Sequence, residues 1–243
     1  MPPSPAIRVV FFDVGGTLLR VDPSVGDVYA RAAREHGWEV DPSLLNARFR
    51  DAWKRNTARS AGRGHRTSDE TLRSEWSTVV RDTFGASLSS ADLGALFEDL
   101  YEKFVGASAW RIASGARETL DALRARGLRL GVLSNWDSRL PRTLEQLGLA
   151  GLFDVHAVSY EVGFEKPHPR IFEAALERAG APPENILHVG DSLESDIRPA
   201  RRLGMKTLWM ATAEERAAQP KAGPGARSFD EVPAERWEAL LQA

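Results

Sequence analysis

The sequence predicts an α/β protein whose parallel sheet carries helices on both faces, with an all-helical segment inserted after the first strand. Two observations support this class: a short apolar run at 9–12, and alternating helix and strand patterns from about residue 114 onward. Such alternation is typical of a parallel sheet. We expect the first strand to join the later strands as a central member, which gives a doubly wound, Rossmann-like core.

The segment between these regions, about residues 20–110, has the spacing of helices. Asp41-Pro42-Ser43 begins one helix, Ser68-Asp69-Glu70 caps a second, and a third runs from about Ser90 to Phe104. The pattern contains no convincing strand, and its aromatic stripes indicate a core rather than a cofactor site. We therefore assign residues 1–20 and 111–243 to the Rossmann-like core and residues 21–110 to a helical insertion.

The second half of the chain contains the strands and helices that predict the sheet. The predicted strands are 128–133, 153–158, 186–189 and 207–210, and the predicted helices are 116–126, 140–147, 169–179 and 197–203. A surface loop at 213–226, rich in Ala, Gly and Pro, precedes a final helix at about 233–241.

Composition excludes several classes of protein. Apolar residues make up 42% of the chain and charged residues 27%, and the net charge of −2 gives no overall attraction to nucleic acid or to an anionic membrane. There is no cysteine, which excludes disulfides and thiolate chemistry, and we find no apolar run of membrane-spanning length. The N-terminus does not resemble a signal peptide. We expect a cytoplasmic protein that binds neither nucleic acid nor membrane; the oligomeric state stays open.

Polar residues cluster where the predicted strands end, which is the ligand-binding edge of such a sheet. Asp13 follows the first strand and precedes a Gly15-Gly16 turn closed by Thr17. An acid between four apolar residues and two glycines is poorly placed for packing and well placed for chemistry. The clusters that should converge with it are Ser134-Asn135, Lys166, and Gly190-Asp191 with Asp196.

This set of side chains fits phosphoryl transfer, which needs a nucleophile, a cation and donors for the phosphoryl oxygens. Asp13 would attack phosphorus and form an aspartyl-phosphate. Asp13, Asp191 and the backbone carbonyl of Gly15 would hold Mg²⁺, an ion that prefers oxygen ligands, with Asp196 as a more distant carboxylate.

The remaining donors would act on the phosphate itself. Ser134, helped by the amide of Asn135, would bind a phosphoryl oxygen, and Lys166 would neutralise both the nucleophile and the transferring group. Thr17 is assigned with them to substrate binding. The expected partner is a small phosphorylated metabolite.

Four elements of the sequence follow one another in a recognisable order: Asp13 through Thr17, Ser134, Lys166, and Gly190-Asp191-Ser192 with Asp196. In this order they resemble the motifs of the haloacid dehalogenase-like (HAD) hydrolase superfamily. Within it, the chain is similar to the branch named haloacid dehalogenase-like hydrolase domain-containing protein 3. This likeness lies in Asp13-Val14 with Thr17-Leu18-Leu19-Arg20, in Ser134-Asn135 with Asp137 and Arg139-Leu140, and in Trp110. The resemblance implies that the helical insertion is a cap, which closes over the site and selects the substrate.

One position departs from the family. Phosphatases of the superfamily carry an Asp two residues after the nucleophile, as general acid for the leaving group and base for water; here that residue is Gly15. General acid–base catalysis is typically worth about 10²–10⁴-fold, so its loss should slow reactions of alkyl phosphates. Asp137, Glu161 and Glu165 are the carboxylates that could replace it, although ion-paired or solvated roles are the simpler expectation for them.

The missing acid leaves other functions open. Relatives that cleave 2-haloacids also lack that Asp, but they usually lack the metal-binding pattern around Asp191. Relatives that cleave phosphonates need a cap lysine, for which only Lys54 and Lys103 are available. A third alternative is a former phosphatase kept as a phosphate-ligand or partner-binding protein.

Two further groups of residues are candidates for binding a ligand. The first is a cap loop that contains Arg59, Arg63, His65 and Arg66; this loop could contact an anionic substrate or could simply be solvated. The second consists of four histidines that lack the spacing of metal ligands and are expected to be structural: His36, His156, His168 and His188.

Overall fold

The computed structural model describes residues 6–85 and 88–211, together with residues 217, 218, 229, 232, 237 and 241. The predicted loop at 213–226 and final helix at 233–241 fall almost wholly outside the described residues. Within the described part of the chain, no helix is both long enough and apolar enough to cross a membrane.

Five strands form one parallel sheet in the order β5-β4-β1-β6-β7. The strands of the chain are β1 Val9–Phe12, β2 Leu19–Val21, β3 Trp110–Ile112, β4 Arg129–Ser134, β5 Val155–Val158, β6 Ile186–Gly190 and β7 Lys206–Trp209. The four residues of β1 are buried on both faces, which is why its sequence is continuously apolar. The prediction that β1 is a central strand is confirmed.

Helices cover the sheet and form the insertion. They are α1 Val25–Glu35, α2 Pro42–Gly62, α3 Asp69–Phe84, α4 Ser90–Lys103, α5 Ala116–Ala125, α6 Leu140–Gln146, α7 Ser159–Val162, α8 Pro169–Ala179 and α9 Arg198–Arg202. The predicted helix starts in the insertion are real caps: the Asp41 side chain accepts from the Ser43 amide, and Ser68 accepts from the Thr71 amide.

Helices α1 to α4, called the cap below, pack around their own aromatic cluster. Tyr29 lies at its centre, fully buried, with its ring stacked on Phe84 at 5.8 Å between centroids and edge-on to Phe49 and Phe104. The aromatic stripes therefore form core, as the sequence predicts, except at Trp53 of α2, which is exposed.

The expectation that 20–110 contains no strand is wrong at both ends of the segment. β2 and β3 pair antiparallel, with Leu19 opposite Ile112 and Val21 opposite Trp110, and form a narrow ribbon between cap and sheet. Three residues are too few to show an alternating pattern, and this pairing depends on bringing together residues about 90 positions apart. The ribbon crosses the predicted domain boundaries at 20/21 and 110/111, which stay a prediction.

The loop after β4 ties the core to the cap through a buried cation. The Arg139 guanidinium donates to both carboxylate oxygens of Asp137 at 2.6–3.1 Å and to the Tyr101 carbonyl at 3.0 Å, and it lies 3.7 Å from the centroid of the Tyr101 ring. Its neighbour Ser138 donates from both amide and hydroxyl to Asp69, each at 2.8 Å. Because Tyr101 and Asp69 belong to the cap, this loop holds the cap in place.

Replacing Arg139 by Met should lower the free energy of unfolding by about 3–5 kcal/mol, because Asp137 would keep a buried, unpaired charge. Urea denaturation measures the loss. The matched control is Arg142→Met, which removes another cap-to-core ion pair, to Glu102 at 3.4 Å, but an exposed one worth at most about 1 kcal/mol. Equal effects of the two substitutions would contradict the importance of the buried pair.

A second contact joins the cap to the loop before α8. The Glu165 carboxylate accepts a hydrogen bond from the buried Ser60 hydroxyl of α2, and the Glu165 amide donates to the His65 carbonyl at 2.9 Å. Arg63 lies 3.9 Å from Glu165 and pairs more closely with Glu75. The Arg/His loop of the cap is thus held against the core by charge pairing and backbone hydrogen bonds.

Burial raises the pKa of the Glu165 carboxyl, the Ser60 hydrogen bond opposes this and the Glu75 charge adds to it; the net shift is upward. A carboxyl with a raised folded-state pKa favours the protonated form. Its contribution to stability is complete below the ordinary glutamate pKa, about 4.3, and is lost as pH rises through the raised value. Glu165→Gln should therefore gain in melting temperature over the parent as pH rises across that window.

Thermal unfolding followed from pH 4 to pH 8 tests this expectation. Glu145→Gln, at an exposed position on α6, is the matched control and should track the parent throughout. A difference between Glu165→Gln and the parent that stays constant with pH would contradict the buried-carboxyl account.

Candidate active site

Asp13 lies at the carboxyl end of β1, where its amide donates to the Val189 carbonyl of β6 at 2.9 Å. The turn that follows needs glycine at position 16, which has φ of +84° and whose added Cβ would lie 2.4 Å from an Asp191 oxygen. Gly15 has no such restriction, since its φ is not positive and its Cβ would meet only the Trp136 ring, at 3.4 Å. The missing acid at position 15 is therefore not imposed by the backbone.

Lys166 lies between two carboxylates. Its ammonium Nζ donates to Asp13 Oδ1 at 2.7 Å and to Asp196 Oδ1 at 2.6 Å, and Ser134 Oγ donates to Asp13 Oδ1 at 2.8 Å. All four side chains are buried. Residues from β1, β4, the loop before α8 and the segment after β6 thus meet at one sheet edge, as the strand pattern predicts.

The charges in this cluster influence one another strongly. Burial alone would lower the pKa of Lys166, but the carboxylates of Asp13 and Asp196 outweigh it and raise that pKa above its usual value. Burial would raise the pKa of Asp196, but the Lys166 ammonium and the His188 hydrogen bond hold it well below its usual range. The ion pair is therefore charged on both sides at neutral pH.

The segment after β6 is wound so that Asp196 turns back toward the sheet. Residues Leu193–Ile197 form a π-helical turn, in which the Ile197 amide donates to the Ser192 carbonyl at 3.1 Å. Asp196 Oδ2 accepts from the Ser192 amide at 3.1 Å, and an added Cβ on Gly190 would lie 2.4 Å from the Asp196 carboxyl carbon. Glycine at 190 leaves the space that Asp196 fills.

The acidic residues fit a divalent cation. Carboxylate oxygens of Asp13, Asp191 and Asp196 lie within 4.8 Å of one another. Burial, with repulsion from Asp13 and Asp196, raises the pKa of Asp191 to about 7, and the positive charge of Lys166 opposes this only in part. Oxygen donors of this kind suit Mg²⁺. Because Asp196 already accepts from Lys166, His188 and Ser192, the carboxylates with free capacity are those of Asp13 and Asp191.

Two predicted substrate-binding residues make other contacts. Thr17 Oγ1 donates to Asp191 Oδ1 at 3.2 Å and so orients that carboxylate. The Asn135 side chain accepts from the Lys166 amide at 2.6 Å and donates to the Lys166 carbonyl at 3.0 Å. The Asn135 side chain therefore fixes the loop that carries Lys166, and the role of Asn135 in binding a phosphoryl oxygen stays a prediction.

His188, which we expect to be structural, supports a carboxylate of the site. It is fully buried on β6, and its Nε2 is 3.0 Å from Asp196 Oδ1. Its position two residues before Gly190 on a strand was the available signal, since residues two apart share one face of a sheet.

The carboxylates considered as substitutes for the missing acid have other partners. Both oxygens of Asp137 accept from Arg139, Glu161 pairs with Arg178 at 2.9 Å, and Glu165 accepts from Ser60. They act in ion pairs and in cap docking, which agrees with the simpler expectation.

Known proteins match this chain along most of its length. A human protein described as haloacid dehalogenase-like hydrolase domain-containing protein 3 is 40% identical over 204 residues, covering 83% of this chain and 81% of the relative. The solved structure of a HAD phosphatase from Thermococcus onnurineus has a TM-score of 0.62 and 25% identity, covering 93% of this chain and 96% of that chain. The solved structure of L-2-haloacid dehalogenase from Xanthobacter autotrophicus has a TM-score of 0.64 at 21% identity, covering 98% of this chain and 89% of that chain. This second match shows a similar fold and nothing more.

The family model for haloacid dehalogenase-like hydrolases matches residues 7–204, which include β1, the whole cap and the segment carrying Asp191 and Asp196. The resemblance inferred from the motifs is confirmed: this chain belongs to the haloacid dehalogenase-like hydrolase family.

Proposed function

We propose that the protein is a Mg²⁺-dependent phosphatase that works through an aspartyl-phosphate on Asp13 and is slow with alkyl phosphates. The observation that carries this proposal is that a buried Asp13, paired with Lys166, lies beside a second carboxylate, Asp191, that makes no ion pair within the described residues. A hydrolase of 2-haloacids needs the first feature but not the second. The phosphatase among the structural relatives adds support.

The side chains divide the reaction between them. An oxygen of Asp13 forms a bond to phosphorus while the bond to the leaving oxygen breaks and that oxygen keeps the electron pair; water then cleaves the acyl phosphate and releases inorganic phosphate. The Lys166 ammonium reduces the electrostatic repulsion between Asp13 and the approaching phosphate dianion, and Ser134 positions Asp13 Oδ1. Mg²⁺, held by Asp13 and Asp191 with the Gly15 carbonyl, would supply positive charge for the phosphoryl oxygens.

The lack of an acidic side chain at Gly15 determines which substrates we expect to react fastest. Without a proton donor at this position, the leaving oxygen has to depart as an anion, which favours aryl and acyl phosphates over alkyl phosphates. The same absence leaves no base at position 15 to activate water, so the phosphoenzyme should be long-lived.

The proposal predicts that the protein hydrolyses p-nitrophenyl phosphate and acetyl phosphate with Mg²⁺, and that turnover disappears in Asp13→Asn and with EDTA. The amide of asparagine is nearly the same size but is not a nucleophile. Phosphate release measures the rate, and Asp27→Asn, at the start of α1 in the cap, serves as the control. Turnover that persists in Asp13→Asn would contradict an aspartyl-phosphate.

Gly15→Asp should raise the rate with an alkyl phosphate by tenfold or more, toward the roughly 10²–10⁴-fold that acid–base catalysis supplies. A slowly hydrolysed phosphoenzyme produces a burst of p-nitrophenol. Gly15→Asp should also lower the amplitude of this burst, because the phosphoenzyme would be hydrolysed faster. Gly15→Ala adds the same Cβ without a carboxyl group and should leave alkyl phosphates slow. If Gly15→Asp and Gly15→Ala behave alike, the missing proton transfer is not what limits the reaction.

The alternatives are distinguished by the same residues. Chloride release from a 2-haloacid without metal would favour dehalogenation, as the absence of an acid at Gly15 allows. A phosphonate hydrolase needs an uncharged cap lysine, but the hydrogen bond from Lys103 to Glu35 raises the pKa of Lys103, and Lys54 is exposed. Tight phosphate binding without turnover would favour a binding protein.

A further inference from the structure

An indole ring borders the space beside the nucleophile. A Cβ added to Gly15 would lie 3.4 Å from Cζ3 of Trp136, which is ordinary van der Waals contact. Phosphatases of the family direct the acid at this position toward the leaving oxygen. Trp136 therefore lies within van der Waals reach of the position from which such an acid would act, beside the nucleophile Asp13.

The position of Trp136 is fixed on both sides. Its amide donates to Ser159 Oγ at 3.0 Å, and its carbonyl accepts from the same hydroxyl at 3.0 Å. Its ring packs on Trp110 with centroids 5.1 Å apart, and Trp110 Nε1 donates to the Phe104 carbonyl of the cap at 2.9 Å. Both indoles are half-buried. Together they form a rigid apolar wall where cap and core meet.

The ring faces of the two indoles carry no acid that could protonate an alkoxide, but they suit a planar aromatic ring. Aromatic rings pack on one another in offset or edge-to-face arrangements worth about 0.5–1.5 kcal/mol beyond their buried area. An aryl oxygen also departs as an anion without general acid catalysis. The space beside Asp13 therefore lacks the acid at position 15 and is bordered by a surface that an aryl leaving group could contact.

We propose that Trp136, supported by Trp110, determines specificity by packing against the leaving group, and that the preferred substrates are aryl phosphate monoesters. This inference rests on the proposed phosphatase function and narrows it, because acyl phosphates also leave without a proton but have no ring to place on the wall.

The test compares one aryl and one acyl substrate in the same set of variants. Trp136→Leu should raise KM for p-nitrophenyl phosphate about three- to tenfold, the worth of one aromatic contact, with little change in kcat and little change with acetyl phosphate. Trp136→Phe keeps a ring and should recover most of the loss. Trp53→Leu, at a tryptophan of α2 that is 46% exposed, is the matched control and should resemble the parent.

Binding of unreactive analogues gives a second readout. Benzylphosphonate should inhibit more strongly than methylphosphonate, and Trp136→Leu should remove that difference while leaving methylphosphonate unchanged. Equal losses for the aryl and acyl substrates, or no loss for either, would overturn the proposal, as would equal inhibition by the two phosphonates in the parent protein. If the parent hydrolyses neither substrate, the phosphatase function fails, and calorimetric binding of the two phosphonates still decides the role of Trp136.

Discussion

A buried ammonium group, Lys166, holds the candidate site together. It lies between Asp13 and Asp196, so two carboxylates from opposite ends of the sequence can be desolvated at one sheet edge. Desolvating a charge costs several kcal/mol, and the cost is offset only when partners and hydrogen bonds are in place. Ser134, His188 and the Ser192 amide complete that set of donors. The arrangement of the four chain segments that meet at this sheet edge therefore depends on the Lys166 ammonium group.

Most of this edge could be predicted from the sequence because its cause is local. A carboxylate or hydroxyl directly after a buried parallel strand has to appear at the carboxyl edge of the sheet, so Asp13, Ser134 and Asp191 were placed correctly. The central position of β1 follows in the same way from its unbroken apolar run. Glycine at 190 and 16 carries a weaker signal, since only the fold shows which carboxylate occupies the vacant space.

What the sequence did not predict depends on contacts between distant residues. The β2–β3 ribbon needs Leu19 beside Ile112, and the buried Arg139 needs Tyr101 of the cap; neither has a periodic pattern. The position of Asn135 after a strand predicts a role in substrate binding, whereas its side-chain contacts with both backbone groups of Lys166 are visible only in the fold. A side-chain amide serves either role equally well until its partner is known.

The cap is attached to the two loops that also carry residues of the candidate site. Asp137 and Arg139 directly follow Ser134 to Trp136, and Glu165 directly precedes Lys166, so each cap contact is within a few residues of a reacting or aligning group. A movement of the cap that broke either contact would shift the adjacent backbone. Since a buried lysine tolerates little displacement from its carboxylates, the position of the cap and the charge balance at Asp13 are mechanically coupled. The cap and the candidate site therefore share the same supporting backbone, with Trp136 and Trp110 packed together where the two meet.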